Sequence, residues 1–600
     1  MLVKSLQSIR PANFNLANIS LALAGLMLVL PFLHYVHQNP LTSFYQEWWS
    51  ALLGSLAAVA LLTARASWER TEIPRIVQFP VALIVVVLLQ VALGKMAYFD
   101  QALLYILYLL FAAFMMLLGA GLRACFGIEK LSVVLAYSLL IGAELSAMVG
   151  AIQHYHWHTP LDSVVLMLTS SVLYGNLAQP NHFADYIALG LVSLGLLFQQ
   201  RKLNVAYIFL LCIPLLFAMT LSGSRSTWLY LLMTTFLAWW FARRDVALRP
   251  LLHYGVLLVA GFGLMHLIVQ LSFMAGADSG TTSVQRLLAY NGGGDTGHSI
   301  RLYLWHEALL MFSQFPMLGV GFGQFAWHHF EMLPLLQPKN ITGLYNNAHN
   351  LVFQLAAEAG IAGLLVLFVS LGIWFHGLRR AQSDAAHWWG YATLGVLGIH
   401  SLLEYPLWYA YFIAVAALLL GAFDEAHYRL AQHKFLRIPL VIIVLLGLLS
   451  LIHLRSDYQK LMYTLAIPTD ADNAESRIRN GLIEIQRGGS LLSPYADQVF
   501  FKYADVNADY VKQKTALGFN AMHFIPDSID TYRQAYLLAQ DGQLDQSRRL
   551  LEQAIWSYPE NSNAHKLLEN LARKDPEHFS GLLEFYIQKQ QEHARAVRNK

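Results

Sequence analysis

Runs of about twenty apolar residues, separated by short charged or Gly- and Pro-containing stretches, recur along the first three quarters of the chain. An α-helix of that length spans the ~30 Å hydrocarbon core of a bilayer. Thirteen runs qualify, at roughly 16–36, 48–65, 76–93, 102–123, 131–152, 182–200, 203–222, 226–242, 251–273, 350–375, 387–403, 406–424 and 438–454. The predicted fold class is therefore all-α, a polytopic membrane helix bundle of about 13 spans. Lys and Arg are distributed unevenly between the connections. Seventeen lie on the side of the N-terminus, Lys4, Arg10, Arg75 and Arg380 among them, and five, Lys95, Arg225, Arg286, Arg301 and Lys339, on the other. Basic residues stay inside, so the N-terminus is expected inside and, with an odd number of spans, the C-terminus outside. The first run is long and no small-x-small site follows it, which favours a retained span over a cleaved signal.

The pattern changes near residue 455. From there to Lys600, 18 basic and 19 acidic residues fall among 146, about the charge density of a soluble domain. Helical periodicity persists in "SIDTYRQAYLLAQDGQLDQSRRLLEQAIWSYPENSNAHKLLENLA", Ser528 to Ala572. Two helices joined at "DGQ", a stop near Pro559 and a third helix resemble a tetratricopeptide unit. Four segments follow: an N-terminal bundle of about nine spans over 1–273, an outside loop over 274–349, further spans over 350–454, and an outside helical domain over 455–600. The loop opens with "GADSGTTS" and a "NGGGDTGHS" turn before a helix around "IRLYLWHEALLMFSQ". Composition agrees: of 600 residues 56% are hydrophobic and 13% charged. A net charge of +3, small for the size, argues against a nucleic-acid partner, and two cysteines, Cys125 and Cys212, make no disulfide framework.

Polar residues interrupt the apolar pattern at the outside face. In "GNLAQPNHFADY", Pro180 suits a first helical turn, which puts Asn181, His182 and Asp185 on one face. In "LSGSRSTWL", Ser224 is a candidate N-cap and Arg225 enters the helix at its positive end, a combination suited to an anion. The loop helix carries Arg301 and leads to "YNNAHNLVFQLAAEAG", where Asn350, Gln354 and Glu358 recur every four residues along a helix expected to continue into the tenth span. "HSLLEYPLWYAY" adds Glu404 and Tyr405. Arg225 alone could snorkel, and Asn181 and Asp185 could only glue helices. Ionisable groups inside spans are costly and usually functional, and their gathering at one face favours a site. "HYHWH", His154 to His158, would set three imidazoles on one strand face, but no carboxylate or thiol supports a metal there. The glycines of "GVGFGQF" follow no strand and are not a nucleotide fingerprint.

Together "GNLAQPNHFADY", "SGSRSTWL", the loop with Arg301, "NNAHNLVFQLAAEAG" and "HSLLEYPLWYAY" resemble the PglL-type bacterial O-oligosaccharyltransferases, relatives of O-antigen ligases and polymerases. The resemblance covers most of the chain. It implies a glycosyltransferase of the bacterial inner membrane, its site and C-terminal domain periplasmic. Such an enzyme moves an oligosaccharide en bloc from undecaprenyl pyrophosphate to Ser or Thr hydroxyls of periplasmic or pilin-like proteins. His349 matches the essential histidine, the acceptor's base. Arg225 and Arg301 match the phosphate-binding arginines. Gln179, Asn181, His182 and Tyr405 match polar positions for sugar or diphosphate, and Asn350 and Glu358 are placed to orient the histidine. No metal and no cofactor are expected, because the arginines replace a cation and the glycosyl diphosphate is already activated. The partners are the lipid-linked donor, a protein acceptor and the membrane lipid.

Three other readings compete. An O-antigen ligase or polymerase differs only in acceptor, and the long C-terminal domain favours a protein. A transporter would set ionisable groups near the bilayer midplane and show internal repeats, and an adaptor would not need thirteen spans.

Overall fold

The computed structural model describes residues 15–64, 73–271, 282, 285, 297–338, 343–428, 433–468, 473–559 and 561–599. The stretch "GADSGTTS", apart from Thr282, and residues 291–296 of the "NGGGDTGHS" turn lie outside them. Gly297 to Ser299 belong to the first turn of a helix, Gly297–Gln314.

The described chain is predominantly helical. Its two strands, Ile73–Pro74 and His427–Tyr428, form one short antiparallel pair. Eight helices among the described residues are long and apolar enough to cross a membrane: Leu16–Leu33, Arg75–Ala92, Phe99–Phe126, Ile128–Tyr155, Pro180–Gln199, Val246–Ile268, Leu351–Arg380 and Arg437–Leu465. Two further apolar helices, Val205–Leu221 and Ala410–Ala422, are shorter. The runs at 48–65, 226–242 and 387–403 are also helical, as Phe44–Thr63, Ser226–Arg244 and Ala385–Leu403, with Trp, Tyr, His, Ser or Thr diluting their apolar character.

Packing divides the chain into two compact units. The first contains Met1–Val81, Tyr108–Asp295 and Phe368–Leu451. Its centre is Pro180–Gln199, buried almost throughout, its first turn polar and the remainder mostly apolar. Small residues let neighbouring helices close on it. Gly190 lies against Ala143, and Gly142 leaves room for the Tyr186 hydroxyl, which donates to the Leu28 carbonyl at 2.7 Å.

The second unit contains Ala82–Leu107, Thr296–Leu367 and Ile452–Lys600. Among the described residues seven helices follow residue 473, including Ser528–Gln540, Leu544–Ser557 and Ser562–Lys574, where the sequence predicts three. Gly542, at φ +76°, makes the "DGQ" turn. The loop's second helix, Phe325–Leu336, joins this core: Trp327 and Phe330 pack with Tyr532, Tyr536, Leu551 and Ile555, and Trp327 stacks on His523 at 4.1 Å. The Gly343 N–H donates to the Ser557 carbonyl at 2.7 Å. Loop and C-terminal domain thus share one core.

Three local expectations are corrected. "HYHWH" is not a strand: His154 lies in Ile128–Tyr155, packed on Phe217, His156 ends that helix in the left-handed region, and exposed His158 meets Asp162 at 3.3 Å. Ser224 does not cap the helix after it. That position belongs to Arg225, and the Ser224 hydroxyl is spent on another helix. The helix that starts at Leu351 is not continuous, because Gly360 breaks it at φ +62° and ψ −153°.

Candidate active site

In the first unit, Gln179 caps Pro180–Gln199, its side-chain oxygen accepting the His182 N–H at 2.6 Å. Pro180 fills the first turn, where no N–H is needed. One turn of helix then sends Asn181 to Glu404 and Ser224, while His182 and Asp185 both meet His400. The Asn181 amide uses both ends: Nδ2 donates to Glu404 Oε1 at 2.9 Å, and Oδ1 accepts from Ser224 Oγ at 2.8 Å. An amide carries a donor and an acceptor together, so it can tie three segments at one point. Ser224 Oγ also lies 2.8 Å from Ser226 Oγ. This strip fixes the turn that presents half-buried Arg225 at the start of Ser226–Arg244.

Beneath the strip His182 is enclosed by aromatic rings. Its Nδ1 lies 3.3 Å from the Tyr411 hydroxyl, and its ring meets Tyr409 edge-on at 4.8 Å and Phe412 at 5.1 Å. Asp185 meets His400 at 3.4 Å, both side chains fully buried. Tyr405 stacks on Tyr409 at 6.0 Å.

In the second unit, His349 occupies a left-handed turn at φ +49°, uncommon for a residue with a Cβ. Its surroundings over-determine that turn. The His349 N–H donates to Asn347 Oδ1 at 2.9 Å, and the Ala348 N–H to Gln354 Oε1 at 2.6 Å. Asn350 caps the helix that follows, its Oδ1 accepting from Val352 at 2.9 Å and Phe353 at 3.2 Å. Asn347, Ala348 and Asn350 are buried while His349 keeps partial exposure. The Gly297–Gln314 helix, which carries Arg301, is fastened to this turn by Trp305. Its indole N–H donates to the Ala348 carbonyl at 3.0 Å, and its ring stacks on Phe353 at 5.0 Å.

The polar stripe thus has three backbone tasks: Asn350 caps, Gln354 pins Ala348, and buried Glu358 accepts the Gly323 N–H at 3.0 Å and the Phe325 N–H at 3.4 Å. The glycine run of "GVGFGQF" is explained here too. At the Gly360 break the Ala357 and Glu358 carbonyls accept instead from Val320 and Gly321 of that loop, at 2.9 and 3.1 Å. The Ile361 and Ala362 N–H groups donate to the carbonyls of Pro316 and Met317, at 2.7 and 3.1 Å. Gln90 closes the joint, donating to the Leu318 and Glu358 carbonyls at 2.7 Å each and accepting from the Phe322 N–H at 3.1 Å. Gly319 has φ +64°, and a Cβ there would strike the backbone of Ala357 and Glu358.

The second unit therefore offers a partly exposed imidazole on a pinned turn and an arginine helix tied to that turn, and the first unit, taken by itself, an arginine at a helix start. Comparison with known proteins supplies the class. Residues 173–198 match the protein glycosylation ligase family, 208–368 the O-antigen ligase family, and 388–571 the C-terminal part of a virulence factor membrane-bound polymerase. A general O-oligosaccharyltransferase of Acinetobacter baylyi is 28% identical over 412 residues, 67% of this chain and 69% of that protein. A ComP-specific O-oligosaccharyltransferase of the same organism is 22% identical over 389 residues, 64% and 67% of the two chains. The chain is similar to PglL-type O-oligosaccharyltransferases, and these matches support an enzyme of that type.

The glycosylation-ligase match contains Gln179, Asn181 and His182, and the O-antigen ligase match contains Arg225, Arg301, His349, Asn350 and Glu358. Tyr405 falls in the third. Sequence reasoning missed the clamp residue Trp305, the partner His400, and a buried pair, Glu307 and His329, 2.8 Å apart. A signal for Glu307 existed: it sits among Leu304, Ala308 and Met311 on one apolar helix face.

Proposed function

We propose that this O-oligosaccharyltransferase moves a glycan en bloc from undecaprenyl pyrophosphate to a Ser or Thr hydroxyl of a periplasmic or pilin-like protein. The observation that carries the reading is the His349 turn. A pinned left-handed turn that leaves an imidazole partly exposed supports a general base at this position. The acceptor hydroxyl passes its proton to His349 while its oxygen bonds to the anomeric carbon. The bond from that carbon to the diphosphate oxygen breaks, and the electron pair leaves with the lipid diphosphate. Arg225 and Arg301 serve the growing negative charge as cations, supported by the position of Arg225 at a helix start. Gln179, Asn181, His182 and Tyr405 shape the polar surroundings, and Asn350 and Glu358 hold the histidine's supports.

The thirteen apolar runs are read as thirteen crossings, and the 17-to-5 division of basic residues supports an N-terminus in the cytoplasm. This puts the enzyme in the inner membrane, with residues 274–349 and the tetratricopeptide-like 455–600 on the periplasmic side. A protein acceptor needs a docking surface, and the helical domain supplies one. Tyr532 and Trp556 are buried, so docking falls to exposed neighbours such as Arg548 and Arg549.

A second reading is favoured by two of the family matches, whose descriptions name an O-antigen ligase and a polymerase. Purified enzyme with the lipid-diphosphate glycan decides between them. Glycan on a pilin-like protein, lost in His349→Ala, supports the first reading. Transfer to lipopolysaccharide core with no protein product establishes the second.

A further inference from the structure

A polar cavity of about 580 Å³ opens in the first unit, away from every residue given a role above. Its charged and polar lining comprises Arg75, His376, Arg380, Glu425 and His427. The remaining wall is apolar: Val369 and Ile373, with an open space beside Gly372, where a Cβ would meet nothing within 4 Å.

The polar side is rigid. Ile73 pairs with Tyr428 and Pro74 with His427, and the Arg75 N–H donates to the Ala426 carbonyl at 2.9 Å. The Asp424 carboxylate accepts from Ile76 at 2.9 Å and Ala426 at 2.8 Å. The one acid in the lining is already compensated, since Glu425 accepts from Arg123 at 2.7 Å and meets His387 at 3.4 Å. Neither Arg75 nor Arg380 faces a carboxylate within ion-pair distance among the described residues. Two guanidiniums therefore give the cavity an excess of positive charge. Val369, more than half exposed, continues the apolar wall onto the outer surface of a membrane-crossing helix.

We propose that this cavity binds the phosphate headgroup of an anionic membrane phospholipid, Arg75 and Arg380 meeting the phosphate while an acyl chain lies along Val369 and Ile373. A guanidinium pair suits phosphate oxygens, and basic pockets beside membrane helices are suited to such headgroups. The site is distinct from the transfer reaction and does not depend on it. In the orientation proposed above, it draws its lipid from the cytoplasmic leaflet.

Native mass spectrometry of the full-length enzyme in detergent tests this, with phosphatidylglycerol against zwitterionic phosphatidylethanolamine. Preferential retention of phosphatidylglycerol is expected. It should weaken roughly thirtyfold in the Arg75→Ala/Arg380→Ala double variant, at the typical contribution of two surface cations, and only in part in Arg75→Lys/Arg380→Lys, which keeps the charge and loses the planar contact. Arg380→Gln alone, at an exposed position, gives a milder loss where the double variant does not fold. Equal retention of the two lipids, or retention indifferent to both arginines, overturns the proposal. Displacement of the lipid by millimolar inorganic phosphate would make the ligand a soluble phosphate and overturn the lipid assignment.

Discussion

Trp305 donates its indole N–H to the carbonyl of Ala348, the residue before His349, at 3.0 Å. The same ring stacks on Phe353, so one side chain holds the turn from both ends. Trp305→Phe keeps the stack and removes the donor. A lost hydrogen bond of ~1 kcal/mol should lower kcat roughly fivefold while KM for the lipid-linked donor stays unchanged. An in vitro transfer assay measures the split. An increase in KM alone would assign Trp305 to donor binding instead.

Arg225→Ala and Arg301→Ala should each reduce transfer by about a hundredfold or more, the usual cost of removing a donor aimed at developing charge. Lysine at either position should restore part of the activity, because an ammonium lacks the planar two-pronged contact. Full activity in Arg225→Ala would leave the arginine a snorkelling interface residue.

Gly319→Ala should be more damaging than its size implies. The position combines φ +64° with a backbone collision at Ala357 and Glu358. Strain of about 1–3 kcal/mol should lower the melting temperature and reduce transfer. Gly372→Ala, which meets open space, is the control expected to leave both intact.

Asp530, outside the spans, makes stability depend on pH. Burial first, then the neighbouring Asp527, push its carboxyl up to about 8 against the pull of Lys502 and Arg533. Below about pH 4 the group is neutral in the folded and unfolded chain alike. As pH rises further the unfolded chain ionises while the folded one keeps its proton. Stability therefore falls with rising pH, levelling off near the raised value. Asp530→Asn should raise the melting temperature at about pH 8 and do nothing near pH 4. A gain of equal size at both would trace the effect to packing.

A reporter fused after Lys600 should be active only outside the cytoplasm, because the basic residues divide 17 to 5. Cytoplasmic activity would change the number of crossings by an odd number.

The sequence disclosed the elements better than their joints. Apolar periodicity located every helix named as a span, and Pro180 marked a helix start to the residue. Asn181, His182 and Asp185 could be put on one face because helical spacing is local. Their partners Ser224, Glu404 and His400 are 43 to 223 residues away, and no periodicity reports such pairing. The glycines of "GVGFGQF" were visible but their purpose was not, since it depends on two carbonyls freed at Gly360. Ser224 looked like a cap because serine favours that position, yet a helical partner for its hydroxyl outweighed the local preference.

The exchange of hydrogen bonds at Gly360 bears on how the enzyme tolerates its surroundings. A continuous helix transmits tilt along its ladder of i→i−4 bonds. Here the two rungs from Ile361 and Ala362 to Ala357 and Glu358 are replaced by bonds to residues 316–321. Changes in bilayer thickness that tilt the lipid-facing residues beyond Gly360 meet this missing link before they reach Asn350. The stretch that carries Asn350 is thus joined to the stretch beyond Gly360 through the loop at residues 316–321 rather than through one unbroken ladder.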